Sequence, residues 1–238
     1  MDKLSSKIIA NSKYTASLIK PYFPKNKLEV IYNSLPDEWF VKKVYKPNKP
    51  EIVVGTVANV TSSIKNHKLT IEVANKIRNK YPDLNSIFHI YGNLPADDSS
   101  YYSGLKNIIK TLELTDTVFF MGRIDAKEIY KTIDILFHPY GHEGFGRIFI
   151  EAMGQGVPVV AVKGGGADEL VENGRTGYKV DGDNPEQTAD TIAELIRNHS
   201  LYTQISLNGF EYASKYKESI MWDKIEGCYH GVINLMPK

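Results

Sequence analysis

The chain of 238 residues has a single cysteine, Cys228, so no disulfide can form within it, and a zinc site built on cysteine thiolates would lack ligands. It also lacks an excess of either charge: Lys+Arg 29 against Asp+Glu 28 leaves a formal net charge of +1. Proteins that grip nucleic acid by neutralising phosphates carry a clear basic surplus, so nucleic acid is not an expected partner. Any anion must be held by a few local groups. Nowhere do about 18 apolar residues run together, and residues 1–14 contain no apolar run of signal-peptide type. The expectation is a water-soluble, cytoplasmic protein, at most peripheral to a membrane through a partner. Internal repeats and low-complexity tracts are absent. With 42% hydrophobic and 24% charged residues the composition is that of an ordinary globular protein, long enough for one large domain or two small ones.

What is present is an alternation. Short runs rich in Val, Ile and Phe recur at 7–10, 28–32, 52–58, 87–91, 118–121, 133–138, 157–162 and 178–180. Several are apolar on consecutive positions, as strands covered on both faces are. Between them Leu69, Val73, Ala74 and Ile77 make one stripe at helical spacing, and Ala189, Ile192, Ala193 and Ile196 another. This is the pattern of an α/β, doubly wound, Rossmann-like parallel sheet. Pro36, Pro47 and Pro50, with Asn48, mark a boundary between residues 1–35 and the rest. Asp183-Asn184-Pro185 reads as a helix start, proline being suited to the first turn. The stretch 216–235 carries Ile220, Trp222, Ile225, Tyr229, Val232 and Ile233 on what reads as an apolar helix face, either a cap on the core or a docking helix.

In an open α/β sheet, ligands bind beyond the carboxyl ends of the strands, so the turns after strands are where chemistry is expected. Two stand out. The first, after the run at 133–138, reads Pro139-Tyr140-Gly141-His142-Glu143-Gly144-Phe145-Gly146-Arg147 and leads into a helical stretch. Glycines there allow a tight turn with exposed N–H groups, and the helix that follows points its positive end at the turn, which makes a phosphate cradle. It is neither a Walker loop nor the Gly-x-Gly-x-x-Gly dinucleotide fingerprint. The second turn reads Lys163-Gly164-Gly165-Gly166-Ala167-Asp168-Glu169. Its glycines either make a plain loop or admit a ligand, with Asp168 or Glu169 receiving sugar hydroxyls. Glu143 and Glu151 flank the first turn, an odd place for negative charge unless it accepts hydrogen bonds from polyols. His138 and His142 do not form a His-Glu-x-x-His pattern, and His138 is read as a satisfied histidine in or near the site. His67, beside Lys65 and Asn66, either contacts phosphate or caps the helix that follows. Cys228 is read as a small buried hydrophobe. No metal-ligand set is expected.

The segment Glu143-Gly144-Phe145-Gly146-Arg147-Ile148-Phe149-Ile150-Glu151-Ala152-Met153 resembles the Glu-x7-Glu segment of retaining glycosyltransferases of family 4, which have the two-domain GT-B architecture. Other stretches match that family in order: 30–34 around Asn33, 55–66 with Lys65, 89–92, 118–122, 134–139 and 156–169. The resemblance implies that the chain corresponds to the C-terminal, donor-binding half of such an enzyme. Residues 1–35 would then be the end of an acceptor-side domain plus linker, 36–238 the donor domain, and 216–235 a helix crossing back. A whole enzyme of this type exceeds about 300 residues, so a first domain is expected to be missing here.

Carried over, the resemblance implies that Glu151 holds ribose hydroxyls, and that Glu143 with the backbone of Gly144, Phe145 and Gly146 lies over the sugar and diphosphate. It implies further that Lys65 pairs with the diphosphate, that Arg123 and Ile124 lie near the base, and that Asn59, Gly165 and Gly166 contribute to the donor site. Glu143 and Lys65 are the catalytic candidates. Many family members carry an arginine a few residues before the lysine; the stretch 57–61 has none, which leaves Arg147 as a candidate for that charge. No cofactor is implied beyond a nucleotide-sugar donor such as a UDP- or GDP-sugar. Implied partners are that donor, a glycan or lipid-linked acceptor, and a separate N-terminal domain or chain, or a second copy. The alternatives are a nucleotide-sugar-binding subunit without transfer activity and a sugar-nucleotide epimerase, the latter fitting the Glu143/Glu151 segment less well. A nicotinamide oxidoreductase is disfavoured by the missing glycine fingerprint.

Overall fold

The computed structural model describes residues 6–41, 49, 51–96 and 99–233. Pro47, Asn48 and Pro50, on which part of the expected boundary rests, and Leu235 at the end of the expected last helix, lie outside the described residues. The chain begins with β1 (Ile8–Ala10), α1 (Lys13–Ile19) and β2 (Leu28–Val30). β1 and β2 pair in parallel as a small sheet of their own. α1 is started by Ser12, whose hydroxyl accepts the Thr15 N–H, the ordinary way of satisfying an orphan donor at a helix N-terminus.

The main body alternates as expected: β3 (Ile52–Val57), α2 (His67–Lys80), β4 (Ser86–Tyr91), α3 (Ser100–Thr111), β5 (Val118–Gly122), α4 (Ala126–Thr132), β6 (Ile135–His138), α5 (Arg147–Gly154), β7 (Val159–Val162), α6 (Gly166–Leu170), β8 (Gly177–Val180) and α7 (Pro185–Arg197). α8 (His199–Ala213) and α9 (Glu218–Ile233) follow. The six strands β3 to β8 form one parallel sheet in the order β5-β4-β3-β6-β7-β8. That is the doubly wound order 3-2-1-4-5-6, with its switch point between β3 and β6.

Consecutive apolar residues in the strands bury both faces. One face packs Val54, Phe88, Ile90, Ile135 and Phe137 against Leu69, Val73 and Ile77 of α2 and Ala189 and Ile192 of α7. The other packs Val53, Leu136, Val159 and Ala161 against Tyr130 of α4 and Phe149, Ile150 and Met153 of α5. Both helical stripes read from the sequence are therefore core stripes. α7 begins as expected, with Pro185 in its first turn and the Asn184 side chain accepting the Gln187 N–H.

α9 turns back toward the start of the chain. Leu35 is pinned between the Tyr216 carbonyl and the Glu218 N–H, at 3.0 and 2.9 Å, and the Ser34 hydroxyl lies 3.2 Å from the Met221 sulfur. α9 buries no residue fully, and Ile220, Trp222, Tyr229 and Ile233 are exposed. Cys228 is only partly buried and approaches Glu29 of β2, which corrects its reading as a buried hydrophobe. No described helix is long and apolar enough to cross a membrane.

Candidate active site

The switch point lies between β3 and β6, where sheets of this order take their ligands in a crevice beyond the carboxyl ends of the strands, and the two turns singled out in the sequence follow β6 and β7 at that end. β3 feeds the loop carrying Asn59 and a short 3-10 turn, Ser63–Lys65. β6 ends at His138 and feeds the turn 139–146. Because the strands are neighbours, Lys65 and Glu143 meet: the ammonium is ion-paired with the carboxylate and sits 4.3 Å from the centroid of the Tyr140 ring. The carboxyl of Glu143 is held down to about 2 by the His138 imidazole facing it and by Lys65, against the opposing effect of burial. Glu143 is therefore ionised throughout the neutral range.

His138 is 1% exposed, as a residue ending a central strand should be, but it is not satisfied. Its Nε2 stands 3.5 Å from Glu143 Oε1, and neither ring nitrogen makes a hydrogen bond. Among the described residues, the buried side-chain polar atoms without a partner are these two nitrogens and Asn11 Oδ1. The sequence reading of a satisfied histidine is thus corrected. The rings of Phe149 and Tyr140 pack against it at steep angles, with centroids 5.2 and 6.3 Å away.

α5 starts immediately after the turn. Gly146 takes the left-handed conformation (φ 80°) at its N-cap, and a Cβ there would overlap the Phe149 ring, so glycine is required. The first N–H groups of a helix have no helical acceptor, and here they face the crevice end of the sheet. One turn into α5 comes Glu151, buried at 6% exposure. Its carboxylate accepts the Tyr130 hydroxyl at 3.0 Å and the Arg147 Nε–H at 2.8 Å. Arg147, a candidate for the missing cation, is engaged with Glu151 while 60% exposed on its own helix. Phe145 turns its side chain into the core beside Tyr32 and Tyr216, leaving its backbone to the turn.

The second turn serves another purpose. Gly164 and Gly165 have positive φ (115° and 53°), and a Cβ on either would overlap a carbonyl of the first turn, that of Gly141 or of Glu143. A Cβ on Gly166 would overlap the Phe145 carbonyl, and the Gly166 N–H already donates to the Glu143 carbonyl at 2.8 Å. These glycines let two backbones touch. Glu169, which with Asp168 was one candidate to receive sugar hydroxyls, accepts the Lys13 and Tyr14 N–H groups at the start of α1 and the Tyr32 hydroxyl. Burial and that carboxylate push the Tyr32 hydroxyl up to about 12. Ser12 donates to the Gly144 carbonyl at 2.6 Å, so the N-terminal segment is clamped onto both turns. Asp168 is exposed, 3.5 Å from Lys179.

The remaining candidates fall around the rim. Asn59 is exposed, and its side-chain oxygen accepts the Asn93 N–H. Arg123 and Ile124 are exposed just beyond Gly122, at the end of β5. His67 is fully buried and tied by its ring nitrogens to the Tyr101 hydroxyl (3.0 Å) and the Ala58 carbonyl (3.3 Å), and burial lowers its pKa. Both ring nitrogens are thus engaged within the protein, and the N-cap position of α2 is taken by Asn66. The sequence reading missed Tyr130, the partner of Glu151, and Tyr140, the platform under Lys65. Tyr140 lies inside the turn already singled out, whereas nothing in the spacing of Tyr130 marks it.

The family model described as glycosyl transferases group 1 matches residues 37–212. The chain belongs to this family. A glycosyltransferase of Methanocaldococcus jannaschii, called uncharacterized, is 28% identical over 96% of this chain and 58% of its own length. A D-inositol 3-phosphate glycosyltransferase of Corynebacterium urealyticum is 26% identical over 72% of this chain and 40% of its own length. The chain thus spans about half the length of the curated relatives it matches. Among solved structures, Anabaena HepE in complex with UDP and glucose superposes with a TM-score of 0.85 at 25% identity, covering 97% of this chain and 64% of that one. The C-terminal domain of a group 1 glycosyl transferase from Francisella tularensis, at 24% identity and a TM-score of 0.66, shares the fold over 77% of this chain and 99% of its own.

Proposed function

We propose that this chain is the donor-binding half of a retaining glycosyltransferase of family 4, which transfers a sugar from a nucleoside diphosphate to a glycan or lipid-linked acceptor. The observation that carries the reading is the meeting of Lys65 and Glu143 over the switch point, beside the N-terminus of α5 and the buried carboxylate of Glu151. The likeness to a protein holding UDP and glucose favours a UDP-sugar as donor.

Breaking the bond from an anomeric carbon to a diphosphate builds negative charge on the departing oxygen while the sugar gains oxocarbenium character. Fixed positive groups aimed at that oxygen supply electrostatic stabilisation without reorganising. Lys65 and the first N–H groups of α5 are those groups in this proposal, so a divalent cation is not needed. Glu143, ionised at neutral pH, cannot protonate the leaving group. Its role is to accept sugar hydroxyls and face the developing positive charge. Glu151 takes the two ribose hydroxyls in place of Arg147, while Tyr130 keeps its carboxylate oriented. Arg123, Ile124 and Asn59 border the base and phosphates from the rim. The acceptor is held by a separate domain or chain packed against residues 6–35.

Calorimetric titration with UDP-, GDP- and ADP-sugars tests the reading. Saturable binding of a UDP-sugar that survives EDTA is the expected result; binding of none of the three overturns it.

A further inference from the structure

His138 is a buried titratable group for which the proposed reaction has no use. Buried polar side chains in folded proteins nearly always find hydrogen-bond partners, and an exception calls for a reason. This imidazole has none for either nitrogen, yet its Nε2 stands 3.5 Å from Glu143 Oε1. The charged groups around it are few. Glu143 faces it from its own turn, Lys65 from the loop after β3, and the neutral His67 from the start of α2, while Tyr140 and Phe149 contribute only rings.

In the free protein this cluster is balanced without a proton on His138: Lys65 already neutralises Glu143, and burial disfavours a second cation. An incoming diphosphate upsets the balance. It brings negative charge to the crevice and draws the Lys65 ammonium toward itself, which leaves Glu143 without its counter-ion and His138 without the repulsion of a nearby cation.

We propose that His138 is the proton-responsive positioning residue of Glu143: as the diphosphate takes Lys65, the imidazole takes one proton from solvent and becomes the counter-ion that holds the carboxylate in place. This inference rests on the donor-site reading above. The proton enters through Glu143, whose side chain is 25% exposed, and is retained on the ring, leaving both nitrogens protonated and Nε2–H directed at Oε1. When the nucleotide departs, Lys65 returns and the proton leaves. The contact thus matches its charge to the occupancy of the crevice and keeps the turn 143–146 in register in both states.

The test is calorimetry of UDP binding in buffers of different ionisation enthalpy, which gives the protons taken up per nucleotide bound. Comparing the wild type with His138→Gln cancels protons exchanged by UDP itself. Near pH 7 the wild type should take up more protons than the variant, by up to about one per UDP, and the difference should vanish above about pH 9 because the ordinary histidine pKa is about 6.5. Equal proton numbers overturn the inference and leave the donor site standing; absence of UDP binding by the wild type overturns both. Nitrogen NMR of the His138 ring in the wild type needs no variant. A ring neutral in the free protein and doubly protonated in the complex is expected, and one that stays neutral at pH 7 with UDP bound contradicts the proposal.

Discussion

The turn after β6 and the turn after β7 are neighbours at the carboxyl end of one parallel sheet, and both are glycine-rich with carboxylates close by. They look interchangeable in sequence and are not so in the structure. The first turn gathers charge at the crevice: Lys65 reaches across to Glu143, His138 lies beneath them, and α5 opens at Gly146. The second gives its glycines to backbone contact with the first, and gives Glu169 to the N-terminal segment. A glycine run after a strand therefore signals close approach, and what approaches is as readily another stretch of the same chain as a ligand.

The largest expected effect comes from breaking that contact. Gly166→Ala places a methyl on the Phe145 carbonyl, so that the backbone of one turn or the other must shift. We expect a loss of about 3 kcal/mol or more in unfolding free energy, the range of severe overpacking, read by denaturant titration. A loss under about 1 kcal/mol would mean that the turns part easily. Next comes Lys65→Ala, which removes a charge-assisted contact worth ~1.5–3 kcal/mol. UDP affinity should fall by about tenfold or more in calorimetry, and an effect well below tenfold would take Lys65 out of the phosphate site.

Glu169→Ala sharpens the contrast from the other side. It frees two N–H groups of α1 and the Tyr32 hydroxyl, so stability should drop by ~1–2 kcal/mol, while UDP affinity stays within about threefold. A loss of UDP affinity as large as that of Lys65→Ala would give the second turn a ligand role after all. The smallest effect is expected for Arg147→Ala. Its pair with Glu151 is exposed on the arginine side and worth at most about 1 kcal/mol. A drop in UDP affinity beyond about tenfold would show that Arg147 swings from Glu151 to the diphosphate.

The strands and the two helical stripes were legible in the sequence because burial on both faces of a parallel sheet writes itself as local apolar runs. The pairing of Lys65 with Glu143 was half legible: each residue was singled out, but 78 positions separate them and only the adjacency of β3 and β6 brings them together. The partners of Glu169, Lys13 and Tyr14, were not legible, because they lie about 155 residues away on a segment whose local pattern says nothing of where it docks. His138 was misread for the opposite reason. An apolar strand end predicts burial correctly, but satisfaction depends on what the neighbouring elements bring within hydrogen-bond reach, and here neither ring nitrogen finds a partner.

The central claim is that the crevice between β3 and β6 takes a nucleoside diphosphate by opening the ion pair of Lys65 and Glu143. A crystal structure of the chain with UDP tests it most directly. The expected result is phosphate oxygens at the α5 N-terminus within hydrogen-bond reach of Lys65, ribose hydroxyls on Glu151, and Lys65 drawn off Glu143. UDP bound elsewhere, or bound with that pair intact and Glu151 still held by Arg147, would contradict it.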